Sequence, residues 1–181
     1  MESTIKPVQL DVKVVIQGPG VIKTELIAAG FFILEKDEVL IGGAKQLNDG
    51  LKGRVMELRT NGDFGGHAGE IYCFTPEENT IPAGKILLLG LGARSQVTLQ
   101  VLHDAGRLAV VHAHQLAVED FAFAPEVRDA GVTHLPSDGV AQSVIEGVLE
   151  HFQEITSQGS TKLKTCFLLA GQHIRRVQRA E

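Results

Sequence analysis

The 181-residue sequence is poor in several residue types that mark specialised classes of protein. It contains no tryptophan, one tyrosine and two cysteines. Because Cys73 and Cys166 both lie inside apolar runs, we expect small buried side chains rather than a disulfide framework or a thiolate metal site. Such sparse cysteine usage favours a reducing, cytoplasmic compartment.

Long hydrophobic runs and an excess of positive charge are also missing. No apolar run approaches the roughly 18 residues needed to span a membrane, and the start of the sequence lacks the pattern of a signal peptide. The net charge is −5, whereas binding to nucleic acid requires a basic surface. We therefore expect neither a membrane nor nucleic acid as a partner, and we interpret the basic stretch at 173–179 as part of a solvated tail.

The hydrophobic periodicity of the remaining sequence predicts the fold class. Apolar residues recur at helical spacing in three segments, and short β-branched or apolar runs lie between them. This order predicts an α/β fold with a largely parallel central sheet and helices on both faces. The predicted helices span 47–62, 95–116 and 138–156, and the strand-like segments span 8–16, 28–36, 38–41, 69–75, 85–90, 118–125 and 164–170.

The segment KILLLGLGARS at 85–95 raises the question of a nucleotide-binding loop. A dinucleotide fingerprint needs a third glycine, where this sequence has Ser95, and an acidic residue at the end of the next strand. Glu119 and Asp120 instead lie at the start of that strand. We therefore interpret the two glycines as a strand-to-helix turn, although the start of the following helix could attract an anion.

No group of residues has the spacing of a catalytic or metal-binding site. His112 and His114 are two positions apart and would point in different directions on a helix, and we interpret His112 as a core histidine. His67 is expected in an exposed loop, and no G-x-S-x-G segment occurs. The residues therefore predict no catalytic side chain, no metal site and no cofactor.

Three segments, in this order, are similar to the N-terminal domain of the leucine aminopeptidases, the cytosol aminopeptidase family. NGDFGGHAGEIYCF at 61–74 resembles that family's F-x-G-x-x-G-E turn before a strand. KILLLGLG at 85–92 resembles its strand ending in G-L-G, which precedes a helix containing GRLA, here at 106–109. VIEGVLEHFQEI at 144–155 resembles its E-G-x-x-L helix with a following aromatic, here Phe152.

The resemblance covers residues 10–170, with His67 at a position where the family often has lysine. It implies a macrodomain-like fold, a three-layer α/β/α arrangement around a mixed, largely parallel sheet. We accordingly expect a single domain over 1–181, with its core at about 8–170 and a tail at 171–181.

The resemblance also implies where the chemistry of the family resides. A separate C-terminal domain of these enzymes holds two divalent metal ions through aspartates, a glutamate and a lysine, and includes an N-T-D-A-E-G-R segment. That segment does not occur in this sequence, and a two-metal hydrolase needs several converging carboxylates. We therefore expect no peptidase activity from the chain alone. We expect a non-catalytic interaction, assembly or regulatory module that self-associates or docks on another protein.

Two alternative functions stay open. The chain could be an accessory part of a metal-dependent aminopeptidase whose catalytic domain is on another chain. It could also bind ADP-ribose or a related nucleotide as many macrodomains do, although their Asn-Ala-Asn segment and most of their loop glycines are missing here. The candidate ligand-binding residues for this second alternative are Gly42, Gly43, Gly90, Gly92 and Gly131.

Overall fold

A computed structural model describes residues 8–170 of the chain. The predicted tail at 171–181, including its basic stretch, lies outside the described residues. The strands are β1 (Asp11–Val15), β2 (Leu26–Phe32), β3 (Ile71–Phe74), β4 (Lys85–Gly92), β5 (Asp120–Ala124) and β6 (Thr165–Leu169). The helices are α1 (Gly42–Gly50), α2 (Arg54–Thr60), α3 (Leu99–Gln115) and α4 (Ser137–Gln158), with a short 3₁₀ turn at Arg94–Gln96.

The described strands form a single sheet in the order β1-β6-β5-β2-β4-β3. All neighbouring strands are parallel except β3, which runs antiparallel to β4 at one edge. β2 is buried along its whole length and β4 along nearly all of it, which explains their nearly continuous apolar sequences. The predicted mixed, largely parallel sheet is confirmed.

Two apolar layers cover the faces of this sheet. Alternate residues of β4 point to opposite faces, so that Leu87 and Leu89 join one core while Ile86 and Leu88 join the other. The first core packs against α3 and α4, and the second packs against α1 and α2. The predicted three-layer α/β/α arrangement is therefore confirmed.

Two glycines allow α3 and α4 to pack closely. A Cβ atom on Gly106 would overlap the backbone oxygen of Val144, and one on Gly147 would overlap the backbone oxygen of His103. Both glycines belong to segments that carry the resemblance, GRLA and E-G-x-x-L. These segments therefore serve the contact between two helices, because only glycine leaves room for the facing backbone.

The sequence prediction was wrong at two connections. The helix predicted at 47–62 is two helices, because Lys52 and Gly53 have positive φ angles of 54° and 85° that interrupt the hydrogen-bond ladder. The strand predicted at 38–41 lies outside the sheet. Val39 is 70% exposed and Ile41 is 44% exposed there, so this apolar run is a loop that leads into α1.

The two cysteines differ in their surroundings. Cys166 is buried in the sheet as predicted, and burial raises the pKa of its thiol to about 12. Cys73 is exposed, which contradicts the prediction. It lies on β3, an edge strand whose alternate side chains face solvent. Within residues 8–170 no helix is long and apolar enough to cross a bilayer.

Candidate functional site

A crevice of about 720 Å³ opens where β1, β5 and β6 end. In open α/β sheets, ligands bind outside the carboxyl ends of the parallel strands, and this crevice lies at that edge. Its walls come from the chain after each of these strands and from the first turn of α4. Most of the lining is apolar, including Ile16, Pro19, Val127, Val140, Ala141 and Leu168.

At one end of the crevice the start of α1 meets the loop after β5. Gly42, with a φ of 59°, and Gly43 lie at this helix start. A Cβ atom on Gly42 would overlap the Cβ of Asp129, and one on Gly43 would overlap the carboxyl group of Glu126. The glycines therefore make room for two acidic side chains of the protein itself.

Glu126 occupies the position where an anion would bind to the start of α1. The start of a helix attracts negative charge because its first backbone N–H groups have no partner within the helix. Burial and, to a smaller extent, the negative charge of Asp129 raise the pKa of the Glu126 carboxyl group to about 7, although the N–H groups of Ala44 and Gly43 act to lower it. Its Oε2 atom is buried without a hydrogen-bond partner among the described residues.

Gly131 lies in the same loop as the two acids. It is exposed and has a φ of 83°, and its N–H donates to the carbonyl of Arg128 at 2.9 Å. A Cβ atom at this position would meet nothing within 4 Å. The glycine is therefore suited to the left-handed turn that returns the chain toward α4.

Gly90 and Gly92 lie in a different place, against the loop at 65–70, and do not line the crevice. The N–H of Gly90 donates to the Glu70 carbonyl at 2.8 Å, and that of Gly92 donates to the Gly66 carbonyl at 2.9 Å. A Cβ atom on Gly90 would overlap the backbone oxygen of His67. The five candidate glycines thus fall into two groups, and ligand binding by any of them stays a prediction.

The carboxylate of Glu70 holds the 65–70 loop in place. It accepts hydrogen bonds from the backbone N–H groups of Gly65, Gly66 and His67 at distances from 2.8 to 3.1 Å. Burial alone would raise the pKa of Glu70, but these hydrogen bonds outweigh it, and the pKa is lowered. The F-x-G-x-x-G-E segment therefore holds the 65–70 loop against the end of β4. We call these hydrogen bonds of Glu70 to the loop the Glu70 lock.

Arg59 supports the same loop from α2. Its guanidinium donates to the carbonyls of Gly65 at 3.1 Å and Phe32 at 2.8 Å. It also lies over the rings of Phe31 and Phe64, 5.7 and 5.5 Å from their centroids. The phenylalanine of the motif is thus part of the support for the loop.

The histidines in the described part of the chain have different surroundings. His112 is half-buried, with its Nδ1 2.9 Å from the carbonyl oxygen of Leu108, and His67 is exposed as predicted. His103 connects α3 to α4 through Glu150 at 2.8 Å, and this hydrogen bond raises its pKa. Among residues 8–170 no group of three or more His, Cys, Asp or Glu side chains is placed to hold a metal ion.

Sequence reasoning missed the two acids at the end of the crevice. Glu126 and Asp129 follow β5 in the segment APEVRDAG at 124–131, whose Gly131 is the candidate residue that the sequence offered. The only signal was their position after a buried strand. Nothing in that segment indicates that Glu126, with a φ of 56°, turns toward the start of α1.

Comparison with known proteins assigns the chain to a family. Residues 29–152, more than half of the chain, match the N-terminal domain of the cytosol aminopeptidase family. The chain belongs to this family. A relative described as a probable cytosol aminopeptidase, from Roseiflexus castenholzii, is 28% identical over 123 residues. That match covers 68% of this chain and 24% of the relative, so the chain spans about a quarter of that protein.

Solved structures support the same family fold. A tomato leucine aminopeptidase variant, K354E, superposes with a TM-score of 0.71 at 20% identity, covering 94% of this chain and 35% of that one. The macrodomain of Mycobacterium tuberculosis DarG superposes with a TM-score of 0.62 at 13% identity, covering 90% and 99% of the two chains. At these identities the likeness shows the fold, which is the macrodomain-like fold of the aminopeptidase N-terminal domain.

Proposed function

We propose that this chain is a non-catalytic interaction module of the cytosol aminopeptidase family, which docks a segment of a partner protein in the crevice. The observation that carries this proposal is the crevice itself, an open and mostly apolar groove at the carboxyl ends of parallel strands. Of the described residues that line it, Ser137 and Thr133 have hydroxyl groups, and none is a histidine, cysteine or lysine that could activate them.

The segments that carry the family resemblance have structural roles in this fold. The Glu70 lock fixes a loop against β4, and the glycines at 106 and 147 fix the contact between α3 and α4. Each of these features stabilises the scaffold on which the crevice is built. We further propose a cytoplasmic location, since both cysteines are unpaired.

Docking is tested by amide NMR titration with three pools of acetylated heptapeptides, one apolar, one apolar and basic, and one apolar and acidic. We expect at least one pool to shift the amides that line the crevice. Ala141→Phe should fill the groove and weaken that binding on the order of tenfold. Gln142→Phe, on an exposed position of the same helix, is the matched control. The absence of crevice shifts with every pool would overturn the docking proposal.

The non-catalytic part of the proposal is tested separately. We expect no release of p-nitroaniline from leucine p-nitroanilide with the pure chain and added Mn²⁺ or Zn²⁺. A two-domain aminopeptidase in the same buffer is the positive control. Turnover that depends on metal and follows the chain through purification would contradict this part. Sedimentation equilibrium measures whether the chain self-associates. If it does, and if Ala141→Phe prevents the self-association, the docking partner is a second copy of the chain.

A second candidate function is nucleotide binding of the macrodomain type. It is favoured by the position of the crevice beside the start of α1, whose backbone N–H groups would face a phosphate once the Glu126 side chain had moved away. Titration calorimetry with ADP-ribose at roughly 100 micromolar protein tests it, a concentration suited to weak sites. A saturable heat that Ala141→Phe abolishes would replace peptide docking with nucleotide binding as the conclusion.

A further inference from the structure

We propose that the crevice selects an apolar segment that carries a cationic group, an ammonium or a guanidinium, and rejects phosphate and carboxylate groups. Glu126 and Asp129 are then its specificity-determining residues. This inference rests on the proposed function, because it specifies the chemistry of the segment that docks in the same crevice. It differs from the nucleotide alternative in the sign of the charge that the site accepts.

The first argument is the use of space at the start of α1. A phosphate that approaches this helix start needs free backbone N–H groups and room beside glycine. Both are taken here, since the N–H groups of Ala44 and Gly43 face the carboxyl group of Glu126. The space above Gly42 is filled by the side chain of Asp129. An incoming anion would therefore meet two acids of the protein in place of a vacant cradle.

The second argument is the hydrogen-bonding capacity left at this end of the crevice. Glu126 lines the crevice, and its Oε2 atom is buried with no hydrogen-bond partner in the described part of the chain. When Glu126 is ionised, its carboxylate oxygens only accept hydrogen bonds, and a charged N–H donor is their strongest partner. A cationic donor that enters beside the apolar wall would supply the missing bond after a small movement of the side chain.

The third argument is the balance of charge around Glu126. Arg128 also lines the crevice, but its guanidinium donates to the carbonyl of Leu135 at 3.1 Å. Arg94 lies beside Glu126 in a small neighbouring cavity, and it pairs with Glu38 at 2.9 Å. When Glu126 is ionised, three carboxylates, those of Glu126, Asp129 and Glu38, face two guanidiniums, those of Arg94 and Arg128, which leaves a net charge of −1 next to an apolar groove. This combination suits a lysine, arginine or free amino group carried beside apolar side chains.

The first experiment uses three probes with one apolar tail, hexylammonium, hexanol and hexanoate, titrated into the full chain and followed by amide NMR. We expect hexylammonium to bind on the order of tenfold more tightly than hexanol, as one charge-assisted hydrogen bond allows, and hexanoate to bind most weakly. The double variant Glu126→Gln/Asp129→Asn should make the three affinities similar. Glu146→Gln, on the exposed face of α4, removes one negative charge outside the crevice and should leave the selectivity intact.

A second variant tests the same idea by a gain of binding. Because Glu126 has a φ of 56°, glycine is compatible with its backbone conformation. Glu126→Gly should free the start of α1, so that inorganic pyrophosphate binds to the variant and not to the unchanged chain. Selectivity for hexylammonium should also grow from pH 6 to pH 8, as Glu126 ionises beside Asp129 with Arg94 and Arg128 unchanged in charge.

The outcomes separate the two proposals. Equal binding of the three hexyl probes, tighter binding of hexanoate, no binding of any probe, or pyrophosphate binding to the unchanged chain would each overturn the charge selection. Peptide docking stands in all these cases if an uncharged or acidic pool still shifts the crevice amides. If no pool shifts them, the docking function itself fails.

Discussion

Two glutamates in this chain face backbone N–H groups of glycines, but they differ in hydrogen bonding and in the charge beside them. Glu70 accepts hydrogen bonds from three successive residues of the 65–70 loop, and its pKa is lowered. Glu126 faces the start of α1 with one buried oxygen unpartnered and Asp129 beside it, and its pKa is raised to about 7. Hydrogen bonding prevails over burial in the first case, and burial prevails in the second.

This difference separates a structural site from a candidate binding site. A carboxylate whose oxygens are satisfied stabilises the fold and has little left to offer a ligand. A buried carboxylate that lacks some of its hydrogen-bond partners lowers the stability of the fold. Such groups are concentrated where proteins bind or react. The family motif marks the first site, whereas the crevice acids belong to no motif that the sequence analysis recognised.

The largest expected effect comes from breaking the contact between β4 and the 65–70 loop. Gly90→Ala should destabilise the chain by more than about 3 kcal/mol, because its Cβ would overlap a backbone oxygen that cannot rotate away. Urea unfolding followed by circular dichroism measures this change. Gly159→Ala is the matched control, since its Cβ would meet nothing within 4 Å, and it should change stability by less than about 0.5 kcal/mol. Equal stability of both variants would refute the close contact.

Removing the charge at the structural site should have the next largest effect. Glu70→Gln should lower stability by about 2 kcal/mol at pH 7, because charge-assisted hydrogen bonds to the loop are lost. The lowered pKa of Glu70 means that its contribution is present above its unfolded value of 4.5 and disappears as the pH falls through the folded pKa. Urea midpoints of the two proteins should therefore converge in acid. A pH-independent difference would indicate a loss of packing instead.

The same substitution at the crevice should act in the opposite direction. Because the pKa of Glu126 is raised from 4.5 to about 7, its favourable contribution is complete below pH 4.5 and is lost as the pH rises through about 7. Glu126→Gln should therefore stabilise the chain at pH 8, by about 1 to 2 kcal/mol, and change little at pH 4. Urea unfolding at the two pH values measures this. Destabilisation at pH 8 would show that the ionised carboxylate is well satisfied and would remove the contrast with Glu70.

The fold was largely predictable from the sequence because it depends on local patterns. The apolar runs at 85–90 and 164–170 and the helical stripes at 95–116 and 138–156 correspond to β4, β6, α3 and α4. Each of these patterns is strong enough to distinguish a helix from a strand. The break between α1 and α2 was missed because it depends on the positive φ angles of two residues, one of them Lys52, which no periodicity reveals.

The candidate site was predictable only in part. Gly42 and Gly43 at the start of α1 and Gly131 in the loop after β5 do lie at one end of the crevice, while Gly90 and Gly92 contact the 65–70 loop. The glycines alone could not distinguish these cases, because a glycine signals close approach without naming what approaches. Gly43 faces the carboxyl group of Glu126, whereas Gly90 faces the backbone carbonyl of His67. In the sequence, both positions are simply glycine.

By itself, the amino-acid sequence determined the class of fold, the layers of the core and the membership of the cytosol aminopeptidase family. These follow from periodicity and short motifs, which are local properties of the chain. Tertiary structure alone decided that residues more than 80 positions apart, Gly43 and Glu126, meet at one end of an apolar crevice. It also decided the protonation of that carboxyl group, since a pKa depends on burial and neighbours that only the folded chain brings together.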